Sequence, residues 1–186
     1  MSKETLVGYF ETSIKKHWDL PALSDYKGDG LTYGDVARQI KKLHILFEQG
    51  GIKKGDKVAL MGKNAVNWGV TFIAVVSYGA VIVPILPEFK PKDAHNIITH
   101  SDAVMLLVDL SKSTANTVEG SAATVLDIEK EAIVLFCEAL EVVGDTYAVS
   151  GFSGTGRLGV DFYTLKGFPE AMGPDIRARI SAMAPQ

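Results

Sequence analysis

The sequence predicts an α/β fold: a three-layer, mostly parallel, Rossmann-like sheet with an antiparallel edge strand, in a single domain. Three observations carry that expectation. Short apolar runs alternate with longer stretches of helical periodicity, the pattern of parallel strands joined by crossover helices. The run Val104-Met105-Leu106-Leu107-Val108-Asp109 is apolar at successive positions, so both of its faces are buried, as in a central parallel strand. The runs 146–152 and 158–165 are separated by a Gly-rich turn too short for a parallel crossover, so the second returns antiparallel at the edge. With 186 residues, 47% apolar and 22% charged, the chain has length and composition for one such domain with a substantial core.

The elements follow in order. Residues 3–18 place Leu6, Tyr9, Phe10, Ile14 and His17 near one face of an amphipathic helix. Residues 21–25 and 30–33 flank the turn Lys27-Gly28-Asp29-Gly30, a small hairpin. Thr32 then caps a helix running to about Gln49, which Gly50-Gly51 stops. A strand over 56–61 precedes a mostly apolar helix over 64–78, ended by Gly79, and a strand over 80–86. A short helix over 92–100 leads into the central strand, whose Leu106 and Leu107 point to opposite faces. Each is expected to meet helices from both sides of the strand in sequence.

Beyond a Ser/Thr/Ala/Gly-rich link over 114–124, residues 125–143 form a helix. Its Ile128, Ala132, Leu135, Phe136, Ala139, Leu140 and Val143 keep helical spacing. Cys137, among Val134, Leu135, Phe136 and Leu140, reads as a buried helix position rather than a nucleophile. The two last strands follow, and Pro174 opens a final helix with Ile176, Ile180 and Met183 in one stripe.

Composition removes several function classes. A net charge of −3 and the lack of a basic stripe with interleaved aromatics argue against a nucleic-acid partner. No uncharged apolar run approaches the ~20 residues a membrane span needs; the longest, 70–86, contains Gly79 and Pro84. Met1-Ser2-Lys3-Glu4 lacks the order of a signal peptide, and a lone cysteine gives no disulfide framework. A reducing, cytoplasmic setting (that of a recombinant chain) is therefore expected. The charge is uneven: 13 Lys and Arg against 11 Asp and Glu up to Val108, then 6 against 11 from Asp109 onward.

One constellation carries chemistry. Asp109, Ser111 and Ser113 put one carboxylate and two hydroxyls at the carboxyl end of the central strand, oxygen donors suited to a hard cation such as Mg²⁺. The same residues also suit a strand-to-helix turn, with Asp109 and Ser111 satisfying loose backbone donors. The stretch 150–159 fails as a phosphate loop, because Arg157 stands for the lysine, Leu158 removes the hydroxyl and no helix follows. His95 and His100 are five apart and fall on different helix faces, so they do not form a zinc pair. Glu129 and Glu131, two apart on a helix, do not face each other and are expected in solvent.

Two resemblances meet at the central strand. Residues 1–108 carry Leu31-Thr32-Tyr33-Gly34-Asp35-Val36, Gly55-Asp56-Lys57-Val58-Ala59-Leu60 and Asn64-x-x-Asn67-Trp68. Tyr78-Gly79-Ala80-Val81-x-Val83-Pro84-Ile85 and His100-Ser101-Asp102-Ala103 follow. In this order they resemble the amino-terminal segment of AMP-forming acyl-CoA synthetases, the adenylate-forming ligases. The resemblance implies a scaffold segment: the family's phosphate loop, ending Pro-Lys-Gly, and its catalytic lysine come later.

Residues 104–186 carry Leu107-Val108-Asp109-Leu110-Ser111-x-Ser113, Glu129-Lys130-Glu131-Ala132 and Gly144-Asp145-x-Tyr147-Ala148-x-x-Gly151-Phe152-Ser153. Gly156-Arg157 and Leu165-Lys166-x-Phe168 complete the pattern. They resemble a von Willebrand factor A-type domain, closest to those of nitric-oxide-reductase activation proteins. That resemblance implies Asp109, Ser111 and Ser113 as the first three members of a metal-ion-dependent adhesion site, whose threonine and second aspartate lie on later loops.

Each segment supplies the strand ending at Asp109. The resemblances together imply an engineered fold chimera, an acyl-CoA synthetase-like fragment over 1–108 and a von Willebrand factor A-like fragment over 109–186, forming one compact domain. No catalytic residue, no cofactor beyond a weakly held Mg²⁺ and no known partner are expected. The alternatives are a Mg²⁺-dependent interaction module and an inactive fragment of an AMP-forming ligase.

Overall fold

Thr5 opens the first helix, α1 (Leu6–Lys16), by accepting the Gly8 N–H at its hydroxyl. The hairpin follows as β1 (Pro21–Ser24) and β2 (Gly30–Thr32), paired antiparallel. Thr32 caps α2 (Tyr33–Gln49) reciprocally: its hydroxyl accepts the Asp35 N–H while the Asp35 carboxylate accepts the Thr32 N–H. A bond from the Thr32 hydroxyl to the Asp35 carboxylate, with those from the Thr32 N–H and from Arg38, holds that carboxyl well below the usual range. Then come β3 (Lys57–Met61), α3 (Val66–Tyr78), β4 (Val81–Ile85), α4 (Pro91–Ser101) and β5 (Met105–Asp109). A 3-10 turn (Lys112–Ala115) leads to α5 (Val125–Val143), β6 (Ala148–Thr155), β7 (Gly159–Lys166) and α6 (Pro174–Ser181). Gly79 ends α3 at φ +92°, a left-handed cap that suits glycine. The computed structural model describes residues 5–26, 28, 30–86, 89–118, 122–144, 146–155 and 159–185.

The main sheet runs β4-β3-β5-β6-β7, with β5 in the middle. The first four strands are parallel, and β7 pairs antiparallel with β6 at the edge. All of this agrees with the sequence expectation. Leu106 stands between Ala59 and Val149, and Leu107 between Leu60 and Ser150.

Alternation along β5 divides the core. Leu106 and Val108 join Ala94 and Ile98 of α4, Ile133 and Phe136 of α5, and Ile176 of α6. Met105 and Leu107 join Leu43 and Phe47 of α2 and Val70 and Ala74 of α3. The face of Leu106 is therefore covered by helices from both sides of β5, as expected, but that of Leu107 is not. Its helices all precede the strand, because α5 and α6 both pack on the α4 side and the short β6–β7 turn brings no helix across. Among the described residues the later part of the chain contributes Ala148, Phe152, Phe162 and Phe168 to that face. Where its cover ends, a cleft of about 370 Å³ opens between the end of α2 and the β6–β7 edge, lined by Leu46, Phe47, Met105, Ala148, Phe162 and Phe168.

A candidate cation site at the carboxyl edge of the sheet

Strand β5 ends at Asp109 between the parallel β3 and β6, so three carboxyl ends converge on the edge where open α/β sheets bind ligands. Asp109 is fully buried. Its Oδ1 accepts the Ser111 N–H at 2.9 Å, and its Oδ2 accepts the Ser111 hydroxyl at 3.1 Å. Burial pushes the carboxyl up, the two Ser111 bonds pull it back, and the charge of Asp25 adds to the rise. Asp25 itself accepts the Val66 N–H at 3.0 Å, at the start of α3.

Two neighbours fix this geometry. Gly62, at φ +157°, faces Asp109 so closely that a Cβ there would stand 2.6 Å from the Asp109 Cβ. Thr114 is buried and donates its hydroxyl to the Ser111 carbonyl at 2.8 Å, holding the turn against the strand end. The structure thus realises the turn geometry at Asp109 and Ser111 and brings both to the predicted edge. The Ser113 side chain lies outside the described residues, though its backbone sits in the 3-10 turn.

The sequence missed Glu129. It was expected in solvent, yet only 1% of it is exposed, and among the described residues neither carboxyl oxygen has a hydrogen-bond partner. Its pKa is pushed up to about 9, first by burial and then by the charge of Asp109, while Lys63 opposes. The reason is helical phase. Val125, Leu126, Ala132, Ile133 and Phe136 are all buried, and Glu129 lies three or four positions from four of them, inside the stripe α5 turns to the sheet. Glu131, two positions on, is exposed as expected. On the neighbouring strand, Ser153 Oγ is also buried without a partner, one residue past Phe152, which pairs with Asp109.

By donor type the edge fits a hard cation: Asp109 and Glu129 are carboxylates, Ser111 and Ser153 hydroxyls, with no thiol or imidazole among them. Among the described residues no group of three or more His, Cys, Asp or Glu is placed to hold a metal. The other expectations stand as follows. Cys137 is a buried packing residue, its thiol pushed up to about 11 by burial. The Gly-rich stretch joins β6 to β7, with Thr155 opposite Gly159 and residues 156–158 outside the described residues, so a strand follows it rather than a helix. The His95 side chain is also outside the described residues. No helix among the described residues is long and apolar enough to cross a membrane.

Comparison with known proteins adds a family match, two relatives and a likeness of fold. A family model described as "AMP-binding enzyme" matches residues 10–150. A long-chain-fatty-acid–CoA ligase of Escherichia coli is 27% identical over 106 residues, 56% of this chain but only 19% of the ligase. An uncharacterized protein of Pseudomonas aeruginosa is 39% identical over 83 residues, 45% of this chain and 13% of its own. Among solved structures, the luciferase-like enzyme of the nonluminescent mealworm Zophobas morio superposes with a TM-score of 0.62. That match covers 99% of this chain and 37% of the enzyme at 14% identity, a likeness of fold alone.

Proposed function

Given that the chain belongs to the AMP-binding enzyme family, we propose that it carries the family's amino-terminal scaffold without its chemistry. In this reading residues 1–108 are an acyl-CoA synthetase-like segment. Residues 104–186 are a von Willebrand factor A-type segment laid over the same strand, β5. The result is an engineered fold chimera that adenylates nothing by itself. The observation that carries the reading is the fate of the Gly-rich stretch. In these 186 residues no Thr/Ser/Gly-rich run ends in Pro-Lys-Gly, and the nearest imitation is the connection of an antiparallel β6–β7 pair.

One further point supports it. The Escherichia coli match spans 106 residues, 56% of this chain, as a ligase-like segment shorter than the whole would. The family match itself runs on through α5 to residue 150, beyond residue 108. ATP–pyrophosphate exchange with fatty-acid and amino-acid substrates tests the reading. No exchange above the no-enzyme rate is expected; carboxylate-dependent exchange would overturn it.

A second reading, a cation-dependent interaction module, is favoured by one specific observation: buried Glu129 stands unpaired in the field of Asp109, at the edge where the adhesion-type motif begins.

A further inference from the structure

We propose that the pocket between the β1–β2 hairpin and the start of α3 binds the quaternary ammonium group of a small molecule. The proposal is independent of the metal-dependent reading and of Glu129.

The pocket has a volume of about 520 Å³ and is lined by Leu23, Asp25, Tyr26, Asn64, Val66 and Trp68. Its walls are held together by contacts between the hairpin and α3. The Leu23 Cδ1 lies 3.6 Å from where a Cβ on Gly69 would stand, so the hairpin packs on the first turn of the helix. Asp25 is tied at both ends: its carbonyl accepts the Gly28 N–H and its Oδ1 accepts the Val66 N–H, each at 3.0 Å. Ala65, before the helix, has no side chain to offer that N–H, and Asp25 takes it across the pocket. Among the described residues no lysine, arginine or histidine pairs with the Asp25 carboxylate. The pocket is therefore acidic, with one carboxylate oxygen left over.

The rest of the lining decides what that carboxylate attracts. Tyr26 is 90% exposed and Trp68 is half-buried. Trp68 stacks on Phe72, with ring centroids 5.5 Å apart and planes at 23°. Phe72 is not part of the lining, so it covers one indole face and the other borders the pocket. Aromatic faces attract cations through their quadrupole, and beside a carboxylate they select a poorly hydrated organic cation. A metal ion, which demands several oxygens, finds one exposed carboxylate among rings. A primary ammonium brings three donors and meets a single free carboxylate oxygen. A quaternary ammonium brings no donor, and its methyl groups can rest against Leu23, Val66 and the rings. Trp18 gives the contrast within the same chain, because Arg38 already stands 5.5 Å from its ring centroid.

The test titrates the full chain, isotope-labelled at tryptophan, with choline. It follows the indole N–H resonances of Trp18 and Trp68, the two tryptophans of the sequence. The Trp68 resonance should shift with a dissociation constant on the order of 10⁻³ M, as exposed cation–π contacts allow, and that of Trp18 should stay. The uncharged analogue of choline, with a tert-butyl group in place of the trimethylammonium, should move neither. Asp25→Asn keeps the acceptor for the Val66 N–H, and Tyr26→Ala changes an exposed side chain, so both variants should fold. Each should weaken choline binding about fivefold. Phosphatidylcholine vesicles carry the same group on a surface and should leave the chain in the supernatant when sedimented. Vesicle binding without a response to free choline would overturn the assignment to a small molecule. An equal response to the uncharged analogue, undiminished affinity in either variant, or no Trp68 shift would overturn the proposal as a whole.

Discussion

At the scale of single residues, the consequential groups are those whose surroundings contradict their chemistry. Glu129 is an acid in a core position, with its pKa raised from 4.5 to about 9. The folded state therefore keeps a proton that the unfolded chain releases. Its contribution to stability is fully present below the unfolded value and is lost as pH rises towards 9, by about 1.4 kcal/mol per unit. Urea unfolding in EDTA from pH 5 to pH 9 should show a parent midpoint that falls across this window. Glu129→Gln, which has no proton to lose, should flatten the fall and exceed the parent in stability at pH 8; equal slopes would contradict the burial of Glu129. Gly62 is a residue of the other kind, fixed by approach rather than charge. Gly62→Ala would drive a Cβ to 2.6 Å from that of Asp109, so a loss of about 1–3 kcal/mol is expected in the same unfolding measurement.

At the scale of elements, α1, α2 and α5 start at side-chain caps from the residue before them, whereas α3, α4 and α6 start without one. Both α2 and α5 begin with capping boxes, Thr32 with Asp35 and Thr124 with Asp127. In each, the aspartate is held below its ordinary pKa, chiefly by bonds from the threonine, so its stabilisation is present above pH 4 and fades in acid. Thr124→Ala removes the cap of the helix that carries Glu129 and should cost about 1 kcal/mol. Thr124→Ser keeps the hydroxyl and should restore most of that loss. The Thr32 cap was legible in the sequence because a cap involves residues three apart. The register of β6 against β7 was legible only as a direction: the turn length forces antiparallel return, but the irregularity between Val149 and Ser150 has no local sign.

For the whole molecule, β5 is the element both cores share, with Leu106 in one cluster and Leu107 in the other. Leu106→Asp or Leu107→Asp should unfold the entire chain, since an unpaired buried charge costs several kcal/mol against a marginal total. In the parent, Trp18 and Trp68 fluorescence reports the part before β5, and far-ultraviolet circular dichroism reports helices on both sides of it. The two transitions should coincide in urea; separate midpoints would mean two cores rather than one. The sequence by itself determined the order of the elements, the antiparallel edge, the Thr32 cap and the arrival of Asp109 and Ser111 at the carboxyl edge. Each of these is set by periodicity or hydrogen bonding within a few residues. Only the tertiary structure decided which sheet face each helix covers, and hence that Leu107 meets helices from one side of β5 alone and that Glu129 is buried. Helical spacing could place Glu129 beside Val125, Leu126, Ala132 and Ile133. Whether that stripe ends in solvent or beneath the sheet edge depends on residues twenty or more positions away, Asp109 and Lys63 among them, through packing and long-range charge.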